Sequence, residues 1–115
     1  MSKIMKVPRN QRPSTPGEFI REYLDNTDIG LTQGLLADRL GISRVNLNAI
    51  INGRRVVTPE MAMRLERVLG VGMQTWLNMQ AAVDIYDALH SPNAKVIARL
   101  EPLPRPINMG RATRQ

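Results

Sequence analysis

Residues 32–53, TQGLLADRLGISRVNLNAIING, constrain this 115-residue chain more than any other stretch. They read as two short helices on either side of a tight turn. Thr32 is placed to cap the first helix, its hydroxyl accepting a backbone N–H of the opening turn. Leu36, Ala37 and Leu40 then share one face, and Gly41 follows at the point where a left-handed residue ends a helix at little steric cost. Ile42 plugs the turn and Ser43 caps the second helix. Leu47, Ile50 and Ile51 point inward before Asn52-Gly53 stops it. Gly34 alone runs against the pattern, because a glycine inside a helix costs about 1 kcal/mol relative to alanine. Nothing in the sequence offsets that cost.

Helix, glycine-containing turn and helix at this spacing form the helix-turn-helix pattern. The inward stripe leaves Arg44, Val45, Asn46, Asn48 and Ala49 on the outer side of the second helix, where side chains can meet base edges in a major groove. Arginine pairs with guanine, asparagine with adenine, and short apolar groups touch the thymine methyl. Val45 and Ala49 make that face poor in hydrogen-bonding groups, so DNA shape is expected to share the discrimination. Gln33 and Ser43 at the helix starts, with Asn52, Arg54 and Arg55 at the exit, are placed for phosphate contacts that set register without reading sequence. From Arg39 to Arg55 there are four arginines and no acid. A merely solvated helical pair mixes signs, so this run points to a phosphate partner. The plainer alternative is an αα-hairpin with a polar face.

The length suits one domain. No cysteine is present, which excludes disulfides and thiolate metal sites. The one histidine, His90, allows no histidine cluster, so neither metal nor cofactor is expected. No nucleophile–base spacing or phosphate-cradling loop suggests catalysis, and no small-molecule substrate is expected. No apolar run reaches the ~18 residues of a membrane span, nor is there a signal-peptide core. A cytoplasmic protein is the expectation. The net charge of +6 is concentrated at the ends: residues 13–90 hold seven bases and nine acids.

Residues 1–13, with Lys3, Lys6, Arg9 and Arg12, read as a basic arm that either contacts DNA or serves as a solubilising leader. Residues 14–90 form the helix-turn-helix domain. Thr15-Pro16-Gly17-Glu18 carries a complete capping-box start with proline at the first helical position, and Phe19, Ile20, Tyr23 and Leu24 line the helix it opens. Thr58-Pro59-Glu60 opens another, burying Met61, Ala62, Leu65, Val68 and Leu69, with Met61 and Met63 as gap fillers. A fifth helix runs from about Met73 to Leu89. Its apolar residues cover more than half the circumference, which suggests packing on its own core and on a partner. Trp76, Val83 and Tyr86, together with Val96 and Ile97, are the expected dimer or partner interface. Residues 91–115 form a basic, extended tail. Lys95 to Leu100 is β-prone, and a lone strand there needs another chain to pair with.

The segments TPGEFIREYL, LTQGLLADRLGISRVNLNAIINGRR and TPEMAMRLERVLGVGMQTWLNMQAAVDI together resemble the HigA-type antitoxins of the Xre/Cro-like helix-turn-helix group, over about Thr15 to Ile85. The resemblance implies an all-α fold: a compact five-helix, lambda-repressor-like domain with a short C-terminal strand or extended tail. It also implies a homodimer that represses its own operon at an inverted-repeat operator on double-stranded DNA. A HigB-type toxin, a RelE-like mRNA-cutting ribonuclease, is the further partner it implies. In that group the positions of Gln33, Arg44, Val45, Asn46 and Ala49 face DNA. The alternative is a helix-turn-helix regulator with no toxin partner, or a protein-interaction module.

Overall fold

The computed structural model describes residues 11–104, and among them lie six helices and no strand. They are α1 (Pro16–Asn26), α2 (Gln33–Leu40), α3 (Arg44–Ile51), α4 (Pro59–Leu69), α5 (Met73–Leu89) and α6 (Ala94–Ile97). The first four start on a hydroxyl cap: Thr15, Thr32, Ser43 and Thr58 each accept a backbone N–H three residues on. Each such cap contributes about 1 kcal/mol. Thr15 and Glu18 complete a reciprocal capping box. Gly41 and Gly70 end α2 and α4 in the left-handed conformation, at φ 73° and 81°.

The core gathers Ile20, Leu36, Ala37, Leu40, Leu47, Ile50, Ile51, Val57, Met61, Ala62, Leu65 and Trp76. It therefore draws on all of the first five helices. Trp76 lies at its centre with no exposed surface. Its indole N–H donates to the Val71 carbonyl at 3.0 Å, and Phe19 meets it edge-on at 5.3 Å. Ile42 is half-buried against this core rather than enclosed. Met63 is 58% exposed, so only Met61 of the two expected gap fillers belongs to the interior.

Three expectations are corrected. Trp76 and Val83 are not interface residues. Both are buried by their own chain, at 0% and 3% exposure, and have no surface to offer a partner. Where a short strand or an extended tail is expected, near residues 95–100, the chain instead makes a turn of helix, α6. Its N–H groups are taken up locally: Ile97 donates to Asn93 and Ala98 to Ala94, at 3.0 and 2.9 Å. A single strand has no neighbour in this chain to satisfy its backbone, whereas a helical turn satisfies its own. Val96 and Ile97 remain exposed on that helix. The domain thus has a sixth, short helix beyond the expected five.

Of the expected N-terminal arm, residues 1–10 lie outside the described residues, as do 105–115 of the tail. Arg12 is described, and it is tied down. Its Nε and Nη2 donate to the two carboxylate oxygens of Asp87 on α5, at 2.8 and 2.9 Å. These hydrogen bonds hold the Asp87 carboxyl below its ordinary pKa and the Arg12 guanidinium above its own. A lowered carboxylate pKa means that the pair stabilises the fold at neutral pH and loses that contribution as acid protonates Asp87. Both side chains are about half exposed, so solvent screening keeps the effect small.

Candidate nucleic-acid interface

With Leu47, Ile50 and Ile51 committed to the core, the geometry of α3 decides what faces out. Arg44 and Val45 are exposed at its first turn, Val45 at 79%, and Asn48 and Ala49 follow one turn later, half-buried. Arg54 and Arg55 stand exposed in the loop beyond. That loop folds back sharply: Gly53 takes φ 78°, and the N–H groups of both arginines donate to the Ala49 carbonyl, at 2.8 and 3.2 Å. Ser43 is exposed, its oxygen holding the Asn46 N–H at 3.0 Å.

A hydrogen-bonded chain of polar side chains runs behind this face. The Asn48 amide donates to Gln33 Oε1 at 3.1 Å, joining α3 to the start of α2. Asn52 Nδ2 donates to Asn48 twice, to the backbone oxygen at 3.0 Å and to Oδ1 at 3.1 Å. Arg54 Nη2 donates to the same Oδ1 at 3.3 Å, and Arg21 of α1 donates to Asn52 Oδ1 at 2.7 Å. Asn52 therefore directs both N–H groups at Asn48. The expectation that it meets a phosphate is corrected, since it has no donor left for one.

Asn46 is also placed differently from the expectation. It sits on the flank of α3 facing α4, beside Ile42, Ile50 and Thr58. Its Oδ1 is buried with no hydrogen-bond partner. The outward face repeats as adjacent pairs, 44 and 45 then 48 and 49, and position 46 falls off that edge; its carbonyl oxygen is not presented to a base.

Two positioning residues escaped the sequence reading. Arg64 of α4 reaches across to the end of α2, donating to the Leu40 carbonyl at 2.8 Å, and it also pairs with Glu60. A cation on the last carbonyls of a helix is favourable both as a hydrogen bond and against the helix dipole. Here it fastens the turn between α2 and α3. Gln80 of α5 accepts the Val57 N–H at 2.9 Å, holding the loop that follows α3. Neither role has a signature in the sequence, because the backbone groups they hold, the Leu40 carbonyl and the Val57 N–H, lie more than twenty residues away.

Gly34 has no steric reason to be glycine. A Cβ on it would lie 3.6 Å from Arg44 Nε and 3.7 Å from Cδ, so the Arg44 stem lies over α2 at this glycine. These are ordinary van der Waals distances, and alanine fits. Gly34→Ala is expected to raise stability by about 1 kcal/mol through helix propensity. A urea titration checks this, and an unchanged or lowered midpoint contradicts it.

A compact helical core presenting an acid-free, arginine-bearing helix from a tightly turned pair defines a helix-turn-helix DNA-binding protein. Residues 20–76 match the family model described as helix-turn-helix. The HTH-type transcriptional regulator YbaQ of Escherichia coli is 40% identical over 78 residues, 67% of each chain. Antitoxin HigA-1 of Vibrio cholerae is 37% identical over 78 residues, 67% of this chain and 71% of that protein. The structure of the Pseudomonas aeruginosa antitoxin HigA with the higBA promoter superposes with a TM-score of 0.70 at 32% identity, covering 81% of this chain and all of the other. The chain belongs to the HigA-type antitoxins of the Xre/Cro-like helix-turn-helix family. Among the described residues no helix is long and apolar enough to cross a membrane.

Proposed function

We propose that this protein is the antitoxin of a HigBA-type system, a homodimer that represses its own operon and neutralises a RelE-like mRNA-cutting toxin in the cytoplasm. The observation that carries the DNA-binding part is the outer side of α3 and its exit loop, where Arg44, Val45, Arg54 and Arg55 are exposed and no acid intervenes from Arg39 to Arg55. The Pseudomonas aeruginosa antitoxin, similar over its whole length, was solved with promoter DNA. In this reading Arg44, Val45, Asn48 and Ala49 meet base edges, while Gln33, Ser43, Arg54 and Arg55 meet phosphates. Two copies of α3 about 34–36 Å apart then engage half-sites one helical turn apart. Tyr86, Val96 and Ile97 are left as candidates for the contact between copies or with the toxin.

Arg44→Ala is expected to weaken operator binding by about 1–3 kcal/mol and to relax preference at one base pair. Arg54→Ala is expected to weaken every duplex alike and to lower the salt dependence by about one phosphate contact. Fluorescence anisotropy with upstream DNA and a scrambled duplex, at two salt concentrations, separates the two. Unchanged operator affinity after the Arg44 substitution removes α3 as the reading helix. The 40% identity to the regulator YbaQ favours a second reading, a repressor without a toxin. Co-expression with the neighbouring reading frame decides between them, since only an antitoxin forms a complex with that product and restores growth.

A further inference from the structure

The polar chain behind α3 has a fixed direction, and that direction restricts what Asn48 can read. Arginine carries donors and no acceptor. Arg21 Nη2 lies 2.7 Å from Asn52, so Asn52 must turn its oxygen toward α1. Its nitrogen is then committed to Asn48, at 3.0 Å to the backbone oxygen and 3.1 Å to Oδ1. Arg54, also donor-only, reaches the same Oδ1 from the other side at 3.3 Å. Both lone pairs of the Asn48 oxygen are thus taken. Its nitrogen spends one N–H on Gln33 Oε1 at 3.1 Å. One valence is left on this amide: a single N–H.

We infer that Asn48 is a donor-only reader, set in that state by Arg21 acting through Asn52, and that the operator base opposite it presents an acceptor. The inference rests on the proposed DNA-reading face and deepens it. An unrestrained asparagine pairs bidentately with adenine, accepting from N6 and donating to N7. Asn48 has no lone pair for N6, so it donates to a purine N7, a guanine O6 or a thymine O4. Cytosine, whose major-groove edge carries the N4 donor, is the rejected base. Among the described residues the Gln33 nitrogen has no acceptor, which leaves both its N–H groups unspent. That suits an acceptor-only phosphate at the start of α2. Arg21 is therefore a positioning residue on a helix that contributes nothing else to the reading face.

The test uses duplexes selected from a randomised library by the full-length protein, followed by a four-base scan at each position. Asn48→Ala identifies the position it reads as the one where base preference flattens. There, the wild-type protein is expected to bind cytosine about tenfold more weakly than the best base. Where adenine is preferred, its 7-deaza analogue is expected to cost about as much. Removing the N6 amino group of adenine is expected to change nothing. Arg21→Met is expected to loosen preference at this position while leaving the Arg44 position unchanged, and Arg21→Lys, which still donates, to retain it. A preference for cytosine, or an adenine preference that depends on N6, overturns the donor-only assignment. Asn48→Ala with every base preference intact overturns instead the reading that Asn48 faces a base, and with it the inference.

Discussion

Replacing Trp76 with alanine removes about 3–5 kcal/mol of stability, a large part of the 5–15 kcal/mol that holds a domain of this size together. The indole has no exposed surface and sits in the first turn of α5, against the main core cluster. Three losses coincide. The ring volume becomes a cavity in the middle of the buried cluster. The Val71 carbonyl, which accepts the indole N–H at 3.0 Å, loses its partner. Phe19, packed edge-on at 5.3 Å, loses the surface that keeps it only 37% exposed. Trp76→Phe keeps much of the volume and loses only the hydrogen bond, so its cost is expected to fall well below that of alanine. Urea denaturation followed by circular dichroism orders the three proteins. An alanine variant unfolding at the wild-type midpoint shows that the indole is not the core anchor.

Gly17→Ala is expected to cost about 3 kcal/mol, the upper part of the usual overpacking range, and to impair DNA binding in the molecules that remain folded. A Cβ there would lie 2.7 Å from the Ile51 carbonyl carbon, and nearer still to the carbonyl oxygens of Ile50 and Ile51. These are backbone atoms of the last turn of α3, and they cannot swing aside as a side chain does. Relief requires α1 and α3 to part, which tilts the helix that carries Arg44 and stretches the 2.7 Å bond from Arg21 to Asn52. The comparison with Gly34→Ala isolates the cause. Both substitutions add one methyl within a helix, yet one meets fixed carbonyls and the other a pliable arginine stem, so opposite signs of stability change are expected. The readout is the pair of urea midpoints together with operator affinity corrected for the folded fraction. A Gly17→Ala protein as stable as wild type means that α1 does not rest on the end of α3 as described.

Much of this molecule is legible in its sequence. The hydroxyl caps at Thr15, Thr32, Ser43 and Thr58, the stops at Gly41 and Gly70, and the inward set of Leu36, Leu40, Leu47, Ile50 and Ile51 are local features. Each depends on residues within a turn or two, so reading along the chain finds them. The broad apolar surface of α5 was legible too, and misled. Periodicity counts apolar residues but does not say which neighbour covers them, and Trp76 and Val83 turned out to be covered by their own chain. Likewise, the β-branched run near Lys95 predicts a strand only if a partner edge exists; without one, the backbone closes on itself as α6.

By itself, then, the sequence determined the helices through α5, their ends, the face that must be buried, and the one-signed charge around the turned pair. These follow from local sterics, capping and amphipathic spacing, which act over a few residues. Only the tertiary structure decided the state of the outward face: Asn46 turned to the flank, Asn52 drawn into a relay, Asn48 left with a single donor, and Gly17 reserved for a backbone crossing. Hydrogen-bond valence and close approach belong to pairs brought together by folding. Arg21 and Asn52 are thirty-one residues apart in the chain and 2.7 Å apart in the protein.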